Sequence, residues 1–125
     1  LLKLVGNVYE LKNEKFFDLI TVIVGSGPAY FYYLLESMEK TAISHGLNRS
    51  FAKKILMNTY DGTGKLILNN FDKSYEDLRK NVTSKGGTTE AAIKCLEENN
   101  FKRLIYNSIK NSIKKAKILG SKKVI

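Results

Sequence analysis

Apolar residues recur at helical spacing along most of this 125-residue chain, and few breakers interrupt them. Phe31, Leu34, Leu35, Met38 and Ala42 follow one another at steps of three and four between Ala29 and about Ser44. Pro28, the only proline, fits the first turn of that helix, where its missing N–H would be unpaired in any case, with Ser26 or Gly27 as the cap. Gly46 ends it and Asn48 caps the next, whose stripe is Phe51, Ala52, Ile55, Leu56 and Thr59. The pattern crosses Gly62 and Gly64, resumes at Leu66-Ile67-Leu68 and closes at Phe71-Asp72-Lys73. Glycine inside a helix costs about 1 kcal/mol relative to alanine, so Gly62 and Gly64 are expected to serve close helix–helix approach. Ser74-Tyr75-Glu76-Asp77 reads as a capping box for a short helix to about Asn81. Val82 to Thr89 is a loop, and Thr89 to about Glu98 is helical by Ala92, Ile93 and Leu96. Asn100 is the expected cap of a last helix that carries Phe101, Leu104, Ile105, Ser108, Ile109, Ser112, Ile113 and Ala116 on one face and ends at Gly120. Ahead of these, Val5 to Tyr9 looks extended and Glu14 to Leu19 suits a short helix. The expected fold is all-α, about five helices in one domain.

Composition narrows the function classes. With 43% hydrophobic and 26% charged residues the chain can build a core. Unbroken apolar runs such as Val22-Ile23-Val24 fall far short of the ~20 residues of a membrane helix. No secretory signal is evident at Leu1 to Val5, so the expected compartment is the cytoplasm. One cysteine, Cys95, and one histidine, His45, leave no disulfide framework and no metal site to expect. The net charge is +9, and after the last acid, Glu98, come Lys102, Arg103, Lys110, Lys114, Lys115, Lys117, Lys122 and Lys123. Such a segment suits an anionic partner, nucleic acid included. No aromatic or arginine cluster accompanies the lysines, which favours a solvated helix face and a basic tail over 121–125.

The block Tyr30-Phe31-Tyr32-Tyr33-Leu34-Leu35 is bulky almost all round. A helix of that kind must be buried on several sides, which an oligomer with interlocked helices would satisfy and an aromatic-rich monomer core would also satisfy.

Val82-Thr83-Ser84-Lys85-Gly86-Gly87-Thr88-Thr89 carries the chemistry. Its glycines permit unusual backbone angles and close approach. The N–H groups of the following helix start are unpaired and favour an anion, which Ser84 could also hold. A capped helix start without a ligand fits the same residues. The loop lacks the spacing of a Walker phosphate loop, and Gly25-Ser26-Gly27 lacks the third glycine of a dinucleotide fingerprint. Ser26 and His45 have no acid to complete a hydrolase arrangement.

Gly25-Ser26-Gly27-Pro28-Ala29-Tyr30, Gly46-Leu47, Leu78-Arg79, Val82-Thr83-Ser84-x-Gly86-Gly87-Thr88-Thr89 and Leu96-Glu97 together resemble, in order and spacing, the C-terminal half of pyrroline-5-carboxylate reductase. The resemblance covers nearly the whole chain, and Leu1 to Gly6 looks like the end of that enzyme's first domain. It implies a connection remnant over 1–20, a helical dimerisation and substrate-binding domain over 21–120, and an interlaced dimer of the 6-phosphogluconate-dehydrogenase-like C-terminal type, assembling in some members into decamers. The implied reaction is NADPH- or NADH-dependent reduction of 1-pyrroline-5-carboxylate to L-proline, in proline biosynthesis. Ser84, Gly86, Gly87, Thr88 and Thr89 are implied to bind substrate: Ser84 and the N–H groups of Gly87 and Thr88 take its carboxylate, and the Thr89 hydroxyl, the catalytic group, meets the ring nitrogen. Gly25, Ser26, Gly27 and Pro28 are implied to lie near the nicotinamide end of the cofactor.

The chain departs from the family at Lys85, where proline is usual, at Ile23-Val24, and at Thr63-Gly64, where Gly-Ala or Ala-Ala is preferred. No Gly-x-Gly-x-x-Gly occurs in these residues, so the Rossmann domain is expected to be missing and the chain inactive alone unless a separate Rossmann polypeptide supplies it. Two other functions fit less of the sequence: a non-catalytic oligomerisation module and a basic nucleic-acid-binding helical domain.

Overall fold

The computed structural model describes Val8 and residues 10–121. Among them there are helices and turns and no strand. A 3-10 turn at Glu14–Phe16 leads into α1 (Phe17–Thr21), a π-helical turn at Val22–Ser26 and α2 (Gly27–Ser44). Then come α3 (Arg49–Asn69), α4 (Tyr75–Asn81), α5 (Thr88–Glu98) and α6 (Phe101–Ser121). The segments through α2 form one continuous helix, Glu14–Ser44. The architecture is therefore all-α with five helices, as the periodicity implies. The expected extended stretch at Val5 to Tyr9, apart from Val8, and the basic tail beyond Ser121 lie outside the described residues.

Local chemistry explains most helix ends. The Asn48 side-chain oxygen accepts from the N–H groups of Ser50 (2.9 Å) and Phe51 (3.4 Å), the expected cap of α3. The Ser74 hydroxyl accepts from the Asp77 N–H (3.1 Å) and donates to the Asp77 carboxylate (2.6 Å), which locks α4. Gly46, at φ +94°, closes α2 in a Schellman motif: its N–H donates to the Ile43 carbonyl (2.9 Å) and that of Leu47 to the Ala42 carbonyl (3.1 Å).

The helices depart from the sequence reading at three places. Pro28 does not start a helix, and neither Ser26 nor Gly27 caps one; the helix runs straight through from Glu14. The π-turn lies directly before the proline, where the absent Pro28 N–H breaks the regular ladder and a wider turn absorbs the mismatch. Asn100 does not cap α6 but ends α5. It takes a left-handed φ of +57° and its N–H donates to the Glu97 carbonyl (3.0 Å), a conformation asparagine tolerates better than most residues. Gly120 is the last residue but one of α6 as described, which runs on to Ser121. Gly62 and Gly64 bring no neighbour close within the chain: a Cβ at either would meet nothing within 4 Å.

The chain divides into two compact units, one formed by the stretch up to Ala29 with the stretch from Leu104 onward, the other by Tyr30–Arg103. In the second, Phe31 of α2 meets Tyr60 of α3 edge-on, with ring centres 6.2 Å apart. Also within it, Arg79 of α4 reaches Glu97 of α5 at 3.9 Å. Burial is sparse in both. Among the described hydrophobic residues only Val22 and Ala52 are buried, whereas Phe31, Tyr32, Tyr33 and Leu34 are each more than half exposed and Phe71 is 94% exposed. Such a chain leaves much of its apolar surface in water.

The helix Glu14–Ser44 corrects the reading of short apolar runs. It is 31 residues long, with an 18-residue window of mean hydropathy 1.2, which is long and apolar enough to cross a membrane by length and composition. Ser26 and the glycines interrupt its apolar runs, but no charge occurs from Leu19 to Leu35. Glu36, Glu39 and Lys40 follow at once, and only 6% of the window is buried. The lysines and arginine of α6 are exposed; of its expected apolar face, Ile109, Ser112, Ile113 and Ala116 are half-buried, whereas Phe101, Leu104, Ile105 and Ser108 are exposed.

Candidate functional site: the turn before α5

The chain between α4 and α5 is pinned at both ends. The Thr83 hydroxyl donates to the Arg79 carbonyl (2.7 Å) and the Thr83 N–H to the Lys80 carbonyl (3.0 Å), which tie the loop to the end of α4. The Gly87 N–H then donates to the Ser84 carbonyl (3.0 Å), closing a four-residue turn over Ser84-Lys85-Gly86-Gly87. Gly86 has φ +73° and Lys85 is not among the positive-φ residues, so the turn is type II. That geometry requires glycine or asparagine at the third position, and Gly86 supplies it.

Gly87 matters for a different reason. A Cβ there would lie 2.5 Å from Ser84 Oγ and 3.1 Å from the Ser84 carbonyl oxygen, so the Ser84 hydroxyl packs into the space a side chain would fill. Gly87 is the N-cap of α5 and makes no side-chain cap bond. The first helical bond is that of the Ala91 N–H to the Gly87 carbonyl (3.2 Å). The N–H groups of Thr88, Thr89 and Glu90 therefore precede the helical ladder and face outward from the positive end of α5. Ser84, Gly86, Thr88 and Thr89 are exposed and Gly87 is half-buried.

The turn and first helical turn thus collect all five expected substrate residues, Ser84, Gly86, Gly87, Thr88 and Thr89, in one continuous segment. Two backbone donors are already engaged: that of Gly87 inside the turn, and that of Gly86, which donates to Glu90 Oε2 at 2.7 Å. Glu90 is the residue that sequence reasoning missed. An acid three positions after the N-cap is its signal, as in a capping box.

The other expected site residues are on the first unit. Gly25 and Ser26 lie in the π-turn; Gly27 and Pro28 follow it in the same continuous helix. Gly27 is buried, Ser26 half-buried, and Gly25 and Pro28 exposed. A Cβ at Gly25 or Gly27 would meet nothing within 4 Å. A dinucleotide site needs a strand, a glycine-rich turn and a helix N-terminus for the pyrophosphate. These four residues sit inside a continuous helix and Pro28 has no N–H, so they do not form such a pyrophosphate site. No group of three or more His, Cys, Asp or Glu that could hold a metal occurs among the described residues.

Five helices with uncovered apolar faces, one of them opening on a glycine turn, define a helical association domain. A family model described as pyrroline-5-carboxylate reductase dimerisation matches residues 14–119, and the chain belongs to that family. It is 39% identical over 116 residues to pyrroline-5-carboxylate reductase 2 of Bacillus subtilis, covering 93% of this chain and 41% of that protein. To the pyrroline-5-carboxylate reductase of Pseudomonas aeruginosa it is 37% identical, over 87% of this chain and 40% of that one. Among solved structures, a pyrroline-5-carboxylate reductase from Coxiella burnetii superposes with a TM-score of 0.85 at 35% identity, covering 92% of this chain and 42% of that one. The Plasmodium falciparum pyrroline carboxylate reductase, solved with NADP bound, superposes with a TM-score of 0.84 at 32% identity, covering 92% and 46%. The chain spans about two fifths of the length of the curated relatives it matches.

Proposed function

We propose that this chain is the C-terminal, dimer-forming half of a pyrroline-5-carboxylate reductase and holds the substrate for reduction of 1-pyrroline-5-carboxylate to L-proline. The observation that carries the reading is the pinned Ser84–Gly87 turn opening onto the α5 N-terminus. A carboxylate there is held by the N–H groups of Thr88 and Thr89 and by the Ser84 hydroxyl, with Gly87 contributing through its shared N–H. Charge-assisted bonds of this kind, aided by the helix dipole, suit an anion better than a neutral ligand. The Thr89 hydroxyl then donates to the ring nitrogen and fixes which face of the C=N bond is presented.

The nucleotide, NADPH or NADH, is bound outside these residues, with Gly25–Pro28 at most touching its nicotinamide end. Residues 1–20 connect to the domain that binds it, residues 21–120 form the helical domain, and 121–125 are a basic tail. Two copies interlace their helices and cover the faces of Phe31, Tyr32, Tyr33 and Leu34, and dimers associate further in the manner of decameric relatives. The compartment is the cytoplasm.

The test joins this chain to the nucleotide-binding domain of a relative and measures NAD(P)H oxidation with 1-pyrroline-5-carboxylate. Turnover is expected, and Thr89→Ala is expected to lower kcat at least tenfold, the scale of losing one bond to the reacting centre. No turnover from a folded, dimeric protein would overturn the proposal and leave an oligomerisation module without a substrate site.

A further inference from the structure

In a type II turn the central peptide can rotate by about half a turn into the type I arrangement, with little change in the flanking residues. In this turn that peptide joins Lys85 to Gly86. Proline at the second position would restrict the chain there, but lysine does not. What holds the peptide is Glu90, whose Oε2 accepts from the Gly86 N–H at 2.7 Å. Glu90 is the third residue of α5, the position from which a capping box reaches back to the N-cap N–H. Here the N-cap N–H, that of Gly87, is already committed to the Ser84 carbonyl, and the carboxylate reaches one residue further back.

The geometry points to Glu90 as the positioning residue of the substrate loop: its bond to the Gly86 N–H keeps the Lys85–Gly86 peptide in the type II orientation, so that the Lys85 carbonyl, antiparallel to that N–H, stays turned away from the Glu90 side of the α5 N-terminus. The inference rests on the reading of this loop as a carboxylate site. Glu90 does not touch the substrate in this arrangement. Its charge lies at the same helix start that receives the substrate carboxylate, so it repels the ligand while it shapes the site. Glutamine at 90 keeps the acceptor and removes the repulsion; alanine removes both.

The test uses the 125-residue chain and follows Gly86 amide exchange and L-proline affinity by nuclear magnetic resonance. Glu90→Ala is expected to speed Gly86 exchange and to weaken L-proline binding about fivefold or more, the scale of one exposed charge-assisted hydrogen bond. Glu90→Gln is expected to restore both to the wild-type level, with L-proline bound as tightly as by the wild type or more tightly. Unchanged Gly86 exchange in Glu90→Ala overturns the inference. So does faster exchange with unaltered affinity, which leaves Glu90 a structural cap, and so does a folded Glu90→Gln protein as impaired as Glu90→Ala. Failure of the wild type to bind L-proline overturns the substrate role of the loop and the positioning role with it, while a Glu90-dependent Gly86 exchange rate would still show the bond itself.

Discussion

Single atoms decide what the loop before α5 tolerates. Gly87 has φ −87° and ψ 169°, a conformation open to any residue. Its restriction is therefore the 2.5 Å separation between Ser84 Oγ and the point where an alanine methyl would sit, and not backbone strain. Gly87→Ala drives the Ser84 hydroxyl out of its place and leaves the helix largely intact. The expected outcome is L-proline binding weaker by about tenfold, one charge-assisted bond, with an unchanged far-ultraviolet circular dichroism spectrum. Equal affinity in the alanine variant would show that Ser84 takes no part. The glycines and hydroxyls of this loop are legible in the sequence because each acts through its immediate neighbours. Glu90 is not legible as a loop residue: its partner is the Gly86 N–H, and an acid in the first turn of a helix ordinarily needs no partner beyond the dipole.

At the scale of the element, α4 carries two carboxylates whose charged form the fold favours. The Ser74 hydroxyl holds the Asp77 carboxyl below its ordinary value, and the hydrogen bond from Lys80, with its charge, does the same for Glu76. A carboxylate depressed in the folded state adds stability above its unfolded value, and that stability is lost as pH falls through the folded value. The helix is therefore expected to loosen only in acid, below the usual carboxylate range, and to be insensitive to pH near neutrality. Ser74→Ala removes the cap, at a cost of about 1 kcal/mol, and raises the Asp77 pKa toward its ordinary value. A carboxyl-resolved titration by nuclear magnetic resonance checks the shift; an Asp77 that titrates identically in both proteins would contradict it.

Element starts are readable where a side chain caps its own helix, as Asn48 and Ser74 do. Pro28 misleads, because proline looks the same in a first turn and after a π-turn, and the difference lies in how the preceding carbonyls are arranged. Asn100 misleads for a similar reason. Asparagine caps a helix start with its side chain and ends a helix with a left-handed backbone, and the identity of the residue does not choose between them.

Across the whole molecule, the fold class and family are legible in the sequence and the location of the core is not. The helical period marks apolar faces without saying which chain covers them. Phe31, Tyr32, Tyr33, Leu34, Leu68 and Phe71 are all more than half exposed, and only Val22 and Ala52 are buried among the described hydrophobic residues. Folding free energy comes chiefly from burying such surface, so a chain that leaves it open depends on a second copy for stability. The uncharged stretch from Leu19 to Leu35 is, for the same reason, the surface expected to be covered when two chains associate. Sedimentation equilibrium of the chain at micromolar concentration tests this dependence. A species of twice the 14.1 kDa chain mass, or a multiple of it, is expected, with helicity lost as it dissociates on dilution. A stably folded monomer of 14.1 kDa over the same range would contradict it.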